Sequence, residues 1–127
     1  MTDRAGRTAL HDAALAGDVG DVRGHLDRGA GPDAADHQGF TPLHFAAQGG
    51  HAEVAALLLD EGASIDPVNR FGNTPLWVAT MHSYGRGDTI TLLIERGADP
   101  DRENLTGISP RGIAQTVANH DLGQFFS

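Results

Sequence analysis

The sequence predicts an all-α solenoid of four helix-turn-helix repeats, because three short motifs recur along the chain in one frame. Hydroxyl residues open the units at Thr8, Thr41 and Thr74, which are 33 residues apart, and at Ser109, 35 residues further on. A glycine precedes each of them by two positions, and a Gly-Ala pair closes the first three units, beginning at Gly29, Gly62 and Gly97. A fixed period in this range is typical of repeats that bury their apolar faces only by stacking on one another.

Each repeat is expected to contain a short first helix and a bulkier second helix. The opening hydroxyl residue suits an N-cap, and Pro42, Pro75 and Pro110 suit the first helical turn, where a missing N–H costs nothing. Alanines in the first helix allow close stacking, whereas the second helix carries residues such as Val54, Leu58 and Leu93. The Gly-Ala pairs are expected to stop the second helices, and the earlier glycines to form the turns between repeats.

These motifs resemble the ankyrin repeat, and the resemblance covers almost the whole chain. The second unit is the best match and reads Thr41-Pro42-Leu43-His44-Phe45-Ala46-Ala47, then Gly50-His51-Ala52-Glu53-Val54, then Leu57-Leu58-Leu59. The resemblance implies a single ankyrin repeat domain over residues 1–127, with repeats at about 3–35, 36–68, 69–103 and 104–127 joined by β-hairpin-like loops.

The two terminal repeats are expected to act as caps, since each has one face in water. Asp12 stands where the inner repeats have Phe45 and Val78. The fourth repeat departs from the family motif, its second helix near residues 121–126 is short, and Phe125 with Phe126 is placed to close the core.

Composition narrows the class of protein. The chain has no cysteine, so neither a disulfide framework nor a thiolate metal site is expected. No signal peptide and no apolar run of about 20 residues is evident, which favours a cytoplasmic protein. All nine basic residues are arginine, and we interpret this as GC-rich coding, typical of bacteria.

The residues that could carry chemistry favour structure over catalysis. Among the seven histidines, the resemblance gives His11, His44 and His51 structural positions, and the other four show no metal-ligand spacing. Neither a Walker-type loop nor a dinucleotide fingerprint is present, and His82, Ser83 and Asp88 are triad residue types without evidence of triad geometry. The sequence therefore predicts no enzyme, no cofactor and no metal.

Binding is the function that the resemblance implies, because ankyrin proteins contact partners through the hairpin tips and the exposed side of the first helices. Carried onto this chain, that surface includes Arg4, Ala5, Arg7, His37, Gln38, Phe40, Gln48, Gly49, Arg70, Phe71, Asn73, Met81, His82, Leu105 and Ile108. Exposed rings at Phe40 and Phe71 would suit anchors for a partner, and the alternative is that they fold back on neighbouring loops.

The third repeat contains a local insertion. Thr74 and Gly97 are 23 residues apart, whereas the equivalent residues of the first two repeats are 21 apart. The two extra residues fall between Met81 and Asp88, where Tyr84 and Arg86 would suit a second contact site. A loop insertion without a role is the alternative. Trp77, which replaces the histidine of the motif, is expected to fill core space beside this bulge.

The formal net charge of −8 argues against nucleic acid as a partner. Acidic residues concentrate on the second helices and their ends, whereas Arg4, Arg7, Arg70 and Arg86 fall on the predicted contact side or the bulge. This distribution predicts a partner that is polar to acidic at the contact.

The sequence as a whole predicts a protein-binding module that does not catalyse a reaction and is a monomer apart from its partner. Its third and fourth repeats, with Trp77-Val78-Ala79, Gly85-Arg86-Gly87 and Ile113-Ala114, resemble a group of short bacterial ankyrin proteins, some of which are immunity proteins of toxin systems. That resemblance implies an inhibitor of a cognate toxin or enzyme. The alternatives are an adaptor or regulator of an endogenous cytoplasmic protein and, from another class, an enzyme of unrecognised chemistry.

Overall fold

The computed structural model describes residues 5–83, 86–116 and 122–126. These ranges contain seven α-helices and one 3₁₀ helix. The helices are α1 (Ala9–Ala16), α2 (Val19–Asp27), α3 (Pro42–Gly49), α4 (Ala52–Asp60), α5 (Pro75–Met81), α6 (Asp88–Glu95) and α7 (Pro110–Thr116), followed by the 3₁₀ helix Gly123–Phe126. The first helices α1, α3, α5 and α7 stack in order, as do the second helices α2, α4 and α6. This is the all-α repeat stack that the sequence predicted, with no strand in the described ranges.

Side-chain caps fix the start of each first helix, as predicted. Thr8, Thr41 and Thr74 are the N-caps of α1, α3 and α5, and each side chain accepts a hydrogen bond from the backbone N–H three residues later. Ser109 accepts one from the N–H of Gly112 in α7, at 3.0 Å. In α1 and α3 a histidine completes a reciprocal capping box.

The loops between repeats are turns that hydrogen-bond to one another. In the second repeat, the Asp36 N–H donates to the Phe40 carbonyl at 2.9 Å, and its Oδ1 accepts from the N–H groups of Gln38 and Phe40. Asn69 and Asn104 use their Oδ1 in the same way. This explains why aspartate or asparagine recurs at the start of the motif.

Gly39 and Gly72 let successive loops approach closely. Both have left-handed backbone, with φ of 81° and 77°. A Cβ on Gly39 would lie 2.9 Å from the Cα of Asn69, and one on Gly72 would lie 2.8 Å from the N of Leu105. The close approach allows one backbone bond per step: His37 N–H to Ala5, Arg70 N–H to Gln38 and Leu105 N–H to Phe71. The predicted hairpin-like loops are therefore present as linked turns.

One apolar cluster runs through the stack. Val22, Val54, Leu58, Ile90 and Leu93 from the second helices are fully buried. They meet the alanine-rich first helices, whose buried leucines are Leu10, Leu43 and Leu76. The cluster is continuous from the first repeat to the C-terminal segment, as stacked repeats require.

The C-terminal segment closes the far end. Phe126 is buried in the cluster, and its carbonyl accepts a hydrogen bond from Arg111 at 2.6 Å. Phe125 packs on Gly87 at the start of α6, so closely that a Cβ on Gly87 would enter the ring. The expectation that the two phenylalanines close this side agrees with these contacts, although residue 121, where the helix was expected to begin, lies outside the described ranges. At the other end Asp12 is exposed, unlike Phe45 and Val78.

Candidate functional site

Two histidines link adjacent repeats and are not available for catalysis. In α3, His44 Nδ1 accepts from the Thr41 N–H at 3.0 Å, which leaves the proton on Nε2 for the Asn73 carbonyl at 2.9 Å. His11 repeats the arrangement with Thr8 and the Phe40 carbonyl. Burial lowers the pKa of His44 to about 4, more than the hydrogen bond to Asn73 and the nearby Asp36 carboxylate raise it. His51 also links repeats, because its Nε2 lies 2.9 Å from the Leu15 carbonyl, and the structural roles predicted for all three histidines are confirmed.

Trp77 makes the equivalent hydrogen-bonded link between the third and fourth repeats. Its indole Nε1 donates to the Ile108 carbonyl at 3.2 Å, the position equivalent to the carbonyls that His11 and His44 contact. The ring is half-buried and packs against the cluster, so Trp77 both fills space as expected and replaces a histidine. Sequence reasoning missed the second role.

The proposed contact residues differ widely in exposure. His37, Gln38, Arg70, Phe71, Met81 and Arg86 are exposed, whereas Arg7, Phe40, Gln48 and His82 are half-buried. Asn73 is buried. Arg4 and Tyr84 lie outside the described residues, so their expected roles stay predictions. The set therefore contains both surface groups and parts of the repeat stack.

Phe40 is not the exposed tip that an anchor requires. Its ring stacks on Phe45 with centroids 5.4 Å apart and meets His44 edge-on at 5.5 Å. The half-buried ring packs against the core cluster. The alternative stated for this ring, folding back on its neighbours, is what the structure contains.

The expectation that Asn73 is a surface group is wrong. Its carbonyl accepts from His44, and its side-chain Oδ1 accepts from Asn104 Nδ2 at 2.8 Å. One repeat earlier, Phe40 occupies the equivalent position and offers no side-chain acceptor. Asn69 Nδ2 is accordingly buried without a hydrogen-bond partner among the described residues.

Three large apolar side chains stand exposed on the last two turns. Phe71, Leu105 and Ile108 are 48%, 77% and 44% exposed, and the backbone bond between Leu105 and Phe71 brings their turns together. Arg70 lies over the Phe71 ring at 5.3 Å. We call these four residues the hairpin patch. Contiguous apolar groups on a surface usually mark an interaction site.

A small pocket lies between the helix connections of the second and third repeats. It has a volume of about 50 Å³ and is lined by Ala47, Gly50, Ala79, His82, Ser83, Arg86, Asp88 and Thr89. Arg86 reaches toward the second repeat, since its Nη2 lies 3.9 Å from the position of a Cβ on Gly50. The described residues His82, Ser83 and Arg86 of the connection that contains the insertion thus line a concave site, which we call the connection pocket.

The charge distribution is less one-sided than the sequence suggested. Arg23 and Arg96 belong to the second-helix side and bind Glu61 and Asp60, each at 2.8 Å. Arg111 binds Asp101 at 2.7 Å, and that hydrogen bond raises the pKa of the arginine. Arg70 and Arg86 contact no carboxylate in the described part of the chain. Arg28 and Arg102 likewise form no ion pair in these ranges, so Arg70 and Arg86 are the members of this group that lie on the hairpin patch and at the connection pocket.

The described residue ranges lack two features that mark other protein classes. They contain no group of three or more histidine, aspartate or glutamate side chains placed to hold a metal ion. Nor does any described helix have the length and apolar character needed to span a membrane.

Comparison with known proteins agrees with the repeat architecture. The family model described as Ankyrin repeats (3 copies) matches residues 10–104. No curated protein matches the chain significantly. The matched region includes nearly all of α1, all of α2 to α6 and the turn that carries Arg70 and Phe71, whereas Leu105 and Ile108 lie just beyond it.

Proposed function

The chain belongs to the ankyrin repeat family, and we propose that it binds one protein partner through the hairpin patch and the connection pocket, inhibiting that partner. Ankyrin repeats indicate a protein–protein interaction module, generally without enzymatic activity. The finer proposal is that the partner is a toxin or enzyme in the cytoplasm of a bacterium, and that residues 1–127 form the single domain that blocks it.

The observation that carries the proposal is the exposed apolar surface of Phe71, Leu105 and Ile108. Each of these side chains would lose contact with water when covered, and an exposed aromatic ring beside arginine is typical of interface anchors. Phe40, which occupies the position equivalent to Ile108, instead packs on Phe45. A partner that covers Phe71, Leu105 and Ile108 would account for their exposure in the unbound chain.

Charge supports the same surface. Arg70 holds its guanidinium over Phe71, and no carboxylate of the described residues neutralises it. A partner that presents acidic groups around an apolar contact would complement this arrangement. The remaining surface repels such a partner, because the net charge is −8.

Isolation of the complex followed by an activity assay tests the proposal. The partner is captured with the wild-type chain, identified by mass spectrometry and assayed alone and with a molar equivalent of the chain. An inhibitor abolishes the partner's activity at that ratio, and the Leu105→Asp variant, which places a charge on the hairpin patch, does not. Undiminished activity in the saturated complex would contradict inhibition and favour the alternative, an adaptor or regulator. Conversion of a substrate by the chain alone would contradict a non-enzymatic role.

A further inference from the structure

We propose that the connection pocket binds a carboxylate, supplied by an aspartate or glutamate side chain of the protein partner. This inference rests on the proposed function for the source of the carboxylate, but the pocket's preference for anions can be tested without the partner. It assigns a role to the insertion in the third repeat.

Size and position suit such a group. The volume of about 50 Å³ exceeds the roughly 10–15 Å³ that one water requires, so the pocket has room for the few heavy atoms of a carboxylate. Its floor consists of Ala47 and Ala79 from neighbouring first helices. His82, Ser83 and Arg86 from the connection of the third repeat also line the pocket.

Hydrogen-bond donors are available among the residues that line the pocket. Thr89 is 6% exposed and lines it, and its side-chain hydroxyl has no hydrogen-bond partner among the described residues. The first backbone N–H groups of α6 have no acceptor within the helix, and no side chain caps them. A bound anion would accept from both kinds of donor and would interact favourably with the helix dipole.

Arg86 supplies the positive charge. It is exposed, lines the pocket and forms no ion pair within the described ranges, whereas Arg23, Arg96 and Arg111 each bind a carboxylate of the chain itself. Ser83 is already engaged, because its hydroxyl donates to the Thr80 carbonyl, but it can still accept. Asp88 also lines the pocket, and its charge opposes an anion. Removal of the Arg86 charge and removal of the Asp88 charge should therefore change the affinity for an anion in opposite directions.

Nuclear magnetic resonance titration with sodium acetate, at ionic strength held constant with sodium chloride, tests the pocket. The amide signals of Thr89 and Ile90 should shift in a saturable way. Replacing one exposed charge changes affinity by up to about fivefold, so Arg86→Gln should weaken acetate binding and Asp88→Asn should strengthen it by that order. Thr89→Val, which removes only the hydroxyl, should also weaken it. Arg102→Gln is the matched control, since Arg102 is exposed and lies outside both the pocket and the hairpin patch, and it should leave acetate affinity unchanged.

A pair of capped peptides tests the source of the carboxylate. Ac-Ala-Glu-Ala-NH₂ should shift the same amide signals, and Ac-Ala-Gln-Ala-NH₂ should not. Shifts that grow linearly with acetate, or equal affinities for wild type and Arg86→Gln, would overturn the anion pocket. The reverse order of the two charge variants would identify a cation site and overturn it as well. Acetate binding without binding of the glutamate peptide would overturn the partner side chain as the source. Because none of these readouts uses the partner, failure of the pocket is distinguishable from failure of the proposed function.

Discussion

Acidification should destabilise the fold through His44. Burial lowers the pKa of this histidine from 6.5 to about 4 in the folded chain. Protonation would also place a new N–H on Nδ1, which faces the N–H of Thr41. Between pH 6.5 and about pH 4 the unfolded chain therefore binds a proton that the folded chain does not, and the free energy of unfolding decreases as pH falls through this window.

The size of the effect follows from the shift. At about 1.4 kcal/mol per pH unit, His44 alone removes about 3 kcal/mol by the time the pH has fallen to the folded pKa, and little more below it. Urea denaturation at several pH values measures the free energy of unfolding directly. His44→Gln removes the titrating group, so the stability advantage of the wild type over this variant should shrink as pH falls from 6.5 to 4.

Ile90→Val is the control, because it removes about 1 kcal/mol of buried methylene packing without changing any titratable group. Its curve should run parallel to that of the wild type across the window. Parallel curves for wild type and His44→Gln would refute the reasoning, since they would mean that His44 binds the same number of protons in both states.

Further predictions concern the buried Leu58, the Phe40 ring and the contact between Gly87 and Phe125. Leu58→Ala should lower the free energy of unfolding by about 2–5 kcal/mol in urea denaturation, because Leu58 is fully buried. Phe40→Ala should lower it by about 2 kcal/mol, less than a fully buried ring, and leave partner affinity unchanged in a titration of the complex. Gly87→Ala should lower the melting temperature, because its Cβ meets the Phe125 ring; combining it with Phe125→Ala should cost less than the sum of the two single changes.

The repeated sequence motif made most of the fold predictable. Thr41 and Pro42 mark a helix start by local hydrogen bonding, and the 33-residue period fixes which helices stack, so these features depend on neighbours in sequence. Phe40 and Asn73 were misplaced because equivalent positions of a repeat carry different side chains whose burial depends on the next repeat. Phe40 finds Phe45 and His44, whereas Asn73 finds Asn104.

The candidate site was predictable only in outline. Phe71, Leu105 and Ile108 could be assigned to exposed turns from the motif, but only the three-dimensional structure shows that Arg70 has no carboxylate partner among the described residues. The connection pocket could not be predicted, because Ser83 and Arg86 line it only in combination with Ala47 and Gly50 of the preceding repeat. The repeat period of the sequence does not indicate which side chains of neighbouring repeats line a common pocket.

The most direct test of the central claim is the affinity of the purified partner for Phe71→Asp and Val68→Asp, measured by calorimetry. Both changes replace an exposed apolar side chain by a carboxylate, but Val68 lies outside the hairpin patch and is 41% exposed. Phe71→Asp should weaken binding by about 1–3 kcal/mol with the melting temperature unchanged, and Val68→Asp should bind as the wild type does. Equal affinities for the wild type and Phe71→Asp would contradict the hairpin patch as the partner-binding surface.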